Sequence, residues 1–344
     1  MAVKQKVLTG ITTSGTPHLG NLVGAILPAI EASKGNDTSS FLFLADYHSL
    51  IKNLDSKLTH ESSFEIAACW LACGLDPEKV TFYRQSDIPH IFELSWILGC
   101  LTSKGLLNRA HAYKAAISDN ELNGAKDVDK GITMGLFNYP ILMAADILMF
   151  SADIVPVGQD QKQHIEMTRD IALRFNHHYG DLLTPPEAKI SKETGVLPGL
   201  DGRKMSKSYK NTIPIFSDED SLKKTIMKIK TNSLEPGVPK DSTDCNIFAI
   251  FKSIAEEDDI KSFQKMYEDG IGWGDAKTYL FDHLSLFLSS YKREYLKIIK
   301  DRDYVESVLK EGANKALEVS TPLIEDIRNS CLLYTSDAAD DTCC

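Results

Sequence analysis

The chain has 344 residues, 43% hydrophobic and 25% charged, a balance that fits a soluble globular protein of about two domains. A formal net charge of -10 argues against indiscriminate nucleic-acid binding but leaves room for one local basic surface. Seven cysteines without a Cys-x-x-Cys pair suggest neither a disulfide framework nor a zinc site, and no run reaches the roughly 18 apolar residues that cross a bilayer.

From the N-terminus, MAVKQKVLTGITTSG lacks the apolar stretch of a secretory signal, so the expected location is cytoplasmic. KVLTGI reads as a buried strand, Gly10, Gly15 and Gly20 punctuate a turn-rich stretch, and LVGAILPAIEAS follows as an amphipathic helix. The unit repeats as strand SFLFLAD, a helix over 60–75, strand VTFYRQ and helix IFELSWILGCLTS. Such alternation predicts an α/β fold with a mostly parallel sheet covered on both faces. Pro140 is expected in the first turn of a helix through ILMAADILMF, before strand DIVPVG and helix HIEMTRDIALRF. Beyond Asn211 strand signals fade. SLKKTIMKIK, CNIFAIFKSI, AKTYLFDHLSLFLSSYKREYLKII and YVESVLKEGANKALEV show a 3.6-residue period and predict a helical bundle. The expected division is an α/β domain over 1–212 and a helical domain over 213–330. CLLYTSDAADDTCC, with no amphipathic face, reads as a non-native tail over 331–344.

Two segments carry chemistry. A glycine-rich turn between a strand and a helix N-terminus presents backbone N–H groups and a positive dipole end to an anion such as a nucleotide phosphate. In TTSGTPHLGN, Gly20 lets the backbone approach a flat adenine ring, and His18 and Asn21 can both point from the first helical turn toward one phosphate. A plain glycine turn beside a core histidine would have the same letters. GLDGRKMSKSYKN sets Lys204 and Lys207 in a glycine- and serine-rich stretch, which predicts a mobile surface loop whose cations suit a leaving pyrophosphate. Standing alone, KMSKS would read as a solvated lysine patch. Neither Gly-x-x-x-x-Gly-Lys nor Gly-x-Gly-x-x-Gly occurs, so P-loop and dinucleotide readings lose support.

Together, HLGN at 18–21 and KMSKS at 204–208 resemble the two signatures of class I aminoacyl-tRNA synthetases, with Asn21 in place of the final histidine of the HIGH motif, as is typical of the tryptophanyl and tyrosyl branch. LADYHSL, GLFNYPILMAADILMF and DIVPVGQDQKQHIEMTRDIALRFN resemble tryptophanyl-tRNA synthetases, and the likeness runs over 7–328. The resemblance implies a Rossmann-like parallel-sheet catalytic domain, a helical C-terminal domain that reads the anticodon, and a homodimer. It also implies L-tryptophan, ATP with Mg2+, and tRNA(Trp) as ligands, without a membrane or a protein-held structural metal. His18, Asn21, Lys204 and Lys207 would then carry catalysis. ATP would meet Thr12, Thr13, Ser14 and Gly20 in the first loop, Gly158, Gln159 and Asp160 in GQDQ, Val196, and Met205, Ser206 and Ser208 beside the lysines. Tryptophan would meet Met143 and Asp146 at its indole, Tyr139 and Gln161 at its amino and carboxylate groups, and His48, Val155 and Val157 in the wall. Family members often have an aromatic residue at Leu8, glutamine at Thr12, glutamate at Gln159 and a second lysine near Ala116, so Lys114 is the surviving cation there.

Tyr139, Met143 and Asp146, spaced four and three apart, fall on one helical face. An indole N–H donates and cannot accept, so a buried carboxylate is its complement, and phenylalanine would leave that charge unpaired. Such a site can reject an analogue lacking the donor by roughly 10⁴-fold. A local cap or salt bridge is the commoner use of a helical aspartate. Lys223, Lys224, Lys228 and Lys230 supply either a local tRNA surface or a solvated helix face. Three rivals stay open: a tyrosine enzyme, a pantothenate-synthetase-like adenylyltransferase, which would not need the helical C-terminal domain, and a catalytically silent RNA-binding paralogue.

Overall fold

The computed structural model describes residues 4–13, 15–35, 37–158, 161–190 and 197–333. β1 (Gln5–Thr12) leads through the glycine turn into α1 (Leu19–Asn21), a π-helical segment (Leu22–Ile26) and α2 (Leu27–Ser33), which run on as one helix. β2 (Thr38–Ala45), α3 (Asp46–Ser49), α4 (Ser56–Ala72), β3 (Val80–Arg84), α5 (Pro89–Leu101), α6 (Lys104–Leu107) and α7 (His111–Leu122) follow. α8 (Met134–Leu148), β4 (Ile154–Val157), α9 (Lys162–Tyr179) and β5 (Glu187–Ile190) complete the α/β part. The five strands are parallel, in the order β3-β2-β1-β4-β5.

The two-residue period of a strand sorts the apolar side chains between the faces of this sheet. In β2, Leu42 and Leu44 pack into one core with Trp70 of α4, whereas Phe41, Phe43 and Ala45 pack into another with α5, α8 and α9. Helices cover both faces, as the alternation in the sequence predicts. The chain winds outward from β1 through β2 to β3, then crosses back to β4 and β5. The reversal between β1 and β4 opens a crevice at the C-terminal strand ends, the usual ligand position in such sheets.

Beyond Asn211 come α10 (Glu219–Met227), α11 (Asn246–Lys252), α12 (Glu257–Glu268), α13 (Trp273–Ile298) and α14 (Arg302–Ser330). The last helix returns to the sheet. Val305 and Leu309 join the first core, and Ala313, Ala316, Ile324 and Ile327 the second, so α14 spans both faces across the β3 edge. At the closest approach a Cβ on Gly312 would stand 1.8 Å from the Phe82 carbonyl oxygen. Gly312→Ala is expected to lower stability by about 3 kcal/mol or more, since the obstacle is backbone on both sides. Urea unfolding measures it, and a loss below about 1 kcal/mol would mean that α14 lifts off β3 easily.

Some elements differ from the sequence reading. Pro140 lies inside α8 rather than in its first turn, because the helix starts at Met134 under a Thr133 cap whose Oγ1 accepts from the Leu136 N–H at 3.2 Å. One backbone donor is lost there, and burial of the helix face offsets it. β5 escapes notice because EAKI is short and charged, and α7 and α12 because they bury few residues. Among the described residues no helix is long and apolar enough to cross a membrane. Of the segment 331–344, residues 331–333 follow the end of α14, and the rest lies outside the described residues.

Candidate active site

His18 closes the glycine turn with an extended backbone and caps α1. Its Nδ1 accepts from the Asn21 backbone N–H at 3.3 Å, and Asn21 Oδ1 accepts from the His18 N–H at 3.1 Å. A ring nitrogen that accepts leaves the proton on the other one, so Nε2 is the donor. Burial, reinforced by the charge of Lys207, lowers the His18 pKa to about 4. The ring is therefore neutral at pH 7 and offers an anion an uncharged N–H.

A Cβ on Gly15, whose φ is +85°, would stand 3.4 Å from the Lys207 amine, so the ammonium lies over the glycine turn. Burial lowers the Lys207 pKa, and nearby Glu65 opposes that shift. Gly15, His18, Asn21, Ser206 and Lys207 line one cavity of about 270 Å³. Two loops almost 190 positions apart in sequence thus face each other; the Gly20 N–H even donates to Met205 Sδ at 3.3 Å, across a separation of 185.

That contact anchors part of the loop that the sequence reading expects to be mobile. Met205 is buried, Asn211 Oδ1 accepts from the Ser206 N–H at 2.8 Å, and Asn211 Nδ2 donates to Asp201 Oδ1 at 2.7 Å. The small residues also serve close packing: a Cβ on Gly199 would stand 2.3 Å from the Asn211 amide nitrogen. Lys204 and Ser208 are exposed and do not line the cavity, and Ser208 Oγ pairs with Ser206 Oγ at 2.9 Å.

A second cavity, of about 600 Å³, occupies the β1/β4 crevice. Tyr139, Met143 and Asp146 reach it from α8, His48 from α3, and Val155 and Val157 from β4, with Gln161, Gly158 and Thr12 at its rim. Every residue expected around the amino-acid side chain is brought together here. Gly10 and Thr12 line both cavities, so among the described residues the end of β1 lies between them. Thr13 also borders the second cavity, but its hydroxyl lies 2.6 Å from Ser49 Oγ and ties the loop to α3. Lys114 is exposed and borders neither cavity. Ser14, Gln159, Asp160 and Val196 lie outside the described residues.

Asp146 is buried with both oxygens engaged: Oδ2 lies 2.8 Å from His48 Nε2, and Oδ1 accepts from Gln85 Nε2 at 2.8 Å. Burial raises its pKa, and the bonds from His48 and Gln85 pull it back toward the charged form. The carboxylate therefore has partners before any ligand arrives. A ligand without an N–H would not strand a bare charge, as the sequence reading has it; it would cover the remaining lone pairs. Gln85 is a site residue that sequence reasoning missed. It stands just past β3, and the one available signal was its place at a C-terminal strand end. Also on α8, Tyr139 has its hydroxyl bonded to His164 Nε2, and His164 Nδ1 lies 3.0 Å from Gln161 Oε1.

A larger cavity of about 720 Å³ lies elsewhere, between α5, α6 and α8, with Trp96 and Met134 exposed on it. It has neither the glycine turn nor converging buried polar groups, and size alone does not make it the chemical site.

Residues 2–289 match the family model described as tRNA synthetases class I (W and Y). The tryptophan–tRNA ligase of Neisseria meningitidis serogroup A is 52% identical over 327 residues, which cover 95% of this chain and 97% of that protein. The tryptophan–tRNA ligase of Xanthomonas axonopodis pv. citri is 53% identical over 94% of this chain and 76% of its own length. The crystal structure of tryptophanyl-tRNA synthetase from Campylobacter jejuni complexed with ADP and tryptophan matches with a TM-score of 0.86 at 41% identity, covering 95% of this chain and 99% of that one. With likeness over nearly the whole length and both motif loops facing one cavity, the chain belongs to the class I tRNA synthetases (W and Y), within the tryptophan–tRNA ligase family.

Proposed function

We propose that this chain is a tryptophan–tRNA ligase that activates L-tryptophan with ATP and passes the product to tRNA(Trp), releasing AMP and diphosphate. The observation that carries this reading is the pair of adjoining cavities, one floored by a buried carboxylate and the other roofed by Lys207, with the end of β1 between them. Indole enters the first, its N–H directed at Asp146 and its rings against Met143, Val155 and Val157. The triphosphate enters the second.

The tryptophan carboxylate attacks the α-phosphorus, the bond to the bridging oxygen breaks, and pyrophosphate leaves. Negative charge gathers on the departing group, so donors already aimed at it lower the barrier. Lys207 supplies a cation, His18 an uncharged N–H, and Asn21 lies beside them; Lys204, exposed here, would reach the pyrophosphate if the loop closes further. Magnesium travels with ATP as part of the substrate. The 2′-hydroxyl of the tRNA end then attacks the acyl carbon of the adenylate, and AMP departs. Positioning and electrostatics suffice without a covalent enzyme intermediate.

In this reading residues 1–212 form the catalytic domain and 213–330 contact the anticodon, with exposed Lys223, Lys224, Lys228 and Lys230 offered to the RNA backbone. The enzyme works in the cytoplasm as a homodimer. Amino-acid-dependent ATP–pyrophosphate exchange tests the core of the proposal. Tryptophan alone of twenty amino acids should support rapid exchange, and exchange with tyrosine in its place would overturn the assignment.

A further inference from the structure

We propose that His164 is a positioning residue that makes the Tyr139 hydroxyl an acceptor for the substrate ammonium group. The inference rests on the tryptophan reading of the 600 Å³ cavity and adds a role for a residue behind its wall. His164 is buried on α9, and its backbone carbonyl accepts from the Thr168 hydroxyl at 2.8 Å, so the ring stands on a fixed support.

The proton positions follow from what each neighbour can do. Gln161 Oε1 only accepts, and it lies 3.0 Å from His164 Nδ1, so Nδ1 carries the proton. We assign the neutral form to this imidazole, whose lone pair is then on Nε2 and can only accept. Its partner is the Tyr139 hydroxyl, so the phenol must donate. Burial raises the Tyr139 pKa, and the phenol keeps the proton it donates. With its one hydrogen turned toward His164, the Tyr139 oxygen shows lone pairs to the cavity that Tyr139 lines. An ammonium group has three donors and no acceptor, and lone pairs are what it needs. The opposite tautomer would make Tyr139 accept from His164 and turn its O–H into the cavity, donor against donor. The imidazole therefore selects between an attractive and a repulsive phenol without touching the ligand.

The test compares binding of L-tryptophan with indole-3-propionate, which lacks the ammonium, in the wild type, His164→Phe, His164→Gln and His164→Asn. In His164→Phe, tryptophan should bind about 10- to 100-fold more weakly, the range for a bond to a charged group, while indole-3-propionate changes less than about 2-fold. Gln sets an amide oxygen near the former Nε2 and should restore most of the difference. Asn substitutes for Nδ1 only and should not. Equal weakening of both ligands, no weakening, or rescue by Asn as well as by Gln would overturn the role of His164. If His164→Phe does not fold, the Gln and Asn pair alone decides. A wild type that fails to prefer tryptophan over indole-3-propionate would instead overturn the cavity reading, and this inference with it.

Discussion

Lys207→Ala is expected to slow tryptophanyl-adenylate formation by about 10²- to 10³-fold while leaving tryptophan affinity within about 2-fold. The reason is spatial. The Lys207 amine lies over the glycine turn in the phosphate cavity, and the groups around Asp146 lie in the other. An interaction made mainly with the departing pyrophosphate lowers kcat and kcat/KM together, whereas one made with the ground-state nucleotide raises KM for ATP. Single-turnover adenylate formation separates the two, with tryptophan binding measured alongside by fluorescence. Lys204→Ala is the informative companion, because Lys204 is exposed and outside the cavity. A rate loss equal to that of Lys207→Ala would mean that the loop moves during the reaction, and an unchanged exchange rate in Lys207→Ala would remove its assigned role.

Asp146→Ala should reduce kcat/KM for tryptophan by about 10³-fold, because it deletes the indole acceptor we propose and leaves two donors, part-buried His48 and buried Gln85, without their partner. Asp146→Asn should lose less, about 10- to 100-fold, since the amide can accept from Gln85 and donate to a histidine that shifts its own proton. The pH dependence follows from burial. The folded-state pKa of Asp146 is raised, so as pH falls the carboxylate is neutralised earlier than an exposed aspartate would be. KM for tryptophan should therefore rise on acidification from a pH above the ordinary aspartate range, and Asp146→Asn should abolish that rise. The stability sign is opposite: a raised folded pKa makes the buried anion unfavourable at neutral pH, and protonation relieves it. Asp146→Asn should accordingly keep its melting temperature while losing activation. A wild-type KM flat down to the exposed-aspartate range would remove the argument from burial.

How much of this was legible depended on whether a residue's chemistry shows in its neighbours along the chain. The sheet was legible because buried parallel strands leave apolar runs such as SFLFLAD, and the phosphate loop because HLGN and KMSKS occur together in one chain. The α8 residues were legible through their spacing, once the segment was known to be helical. Gln85 was not: a single polar side chain on a turn, 61 positions from the carboxylate it holds, leaves no periodic trace. His164 stands in a segment whose pattern was noted, yet its part depends on a bond across 25 positions to Tyr139. The lysines of KMSKS show a further limit. Five letters give two exposed cations, and only the fold shows that Lys207 and not Lys204 lines the cavity. Composition gave no sign that part of the same loop is packed, because glycine and serine permit tight packing as readily as freedom.

The seam where α14 meets β3 and α5 bears on how the molecule is made. Arg84 pairs with Glu306 at 2.5 Å and Arg328 with Glu93 at 2.5 Å, contacts that join chain positions 222 and 235 residues apart. A ribosome releases β3 long before α14 exists. During that interval the sheet has a bare edge, and Phe82 lies behind an uncovered backbone, the kind of surface that recruits other chains. Closure of the catalytic half therefore waits for α14, and messages that stop short of α14 would yield a sticky fragment rather than a smaller enzyme.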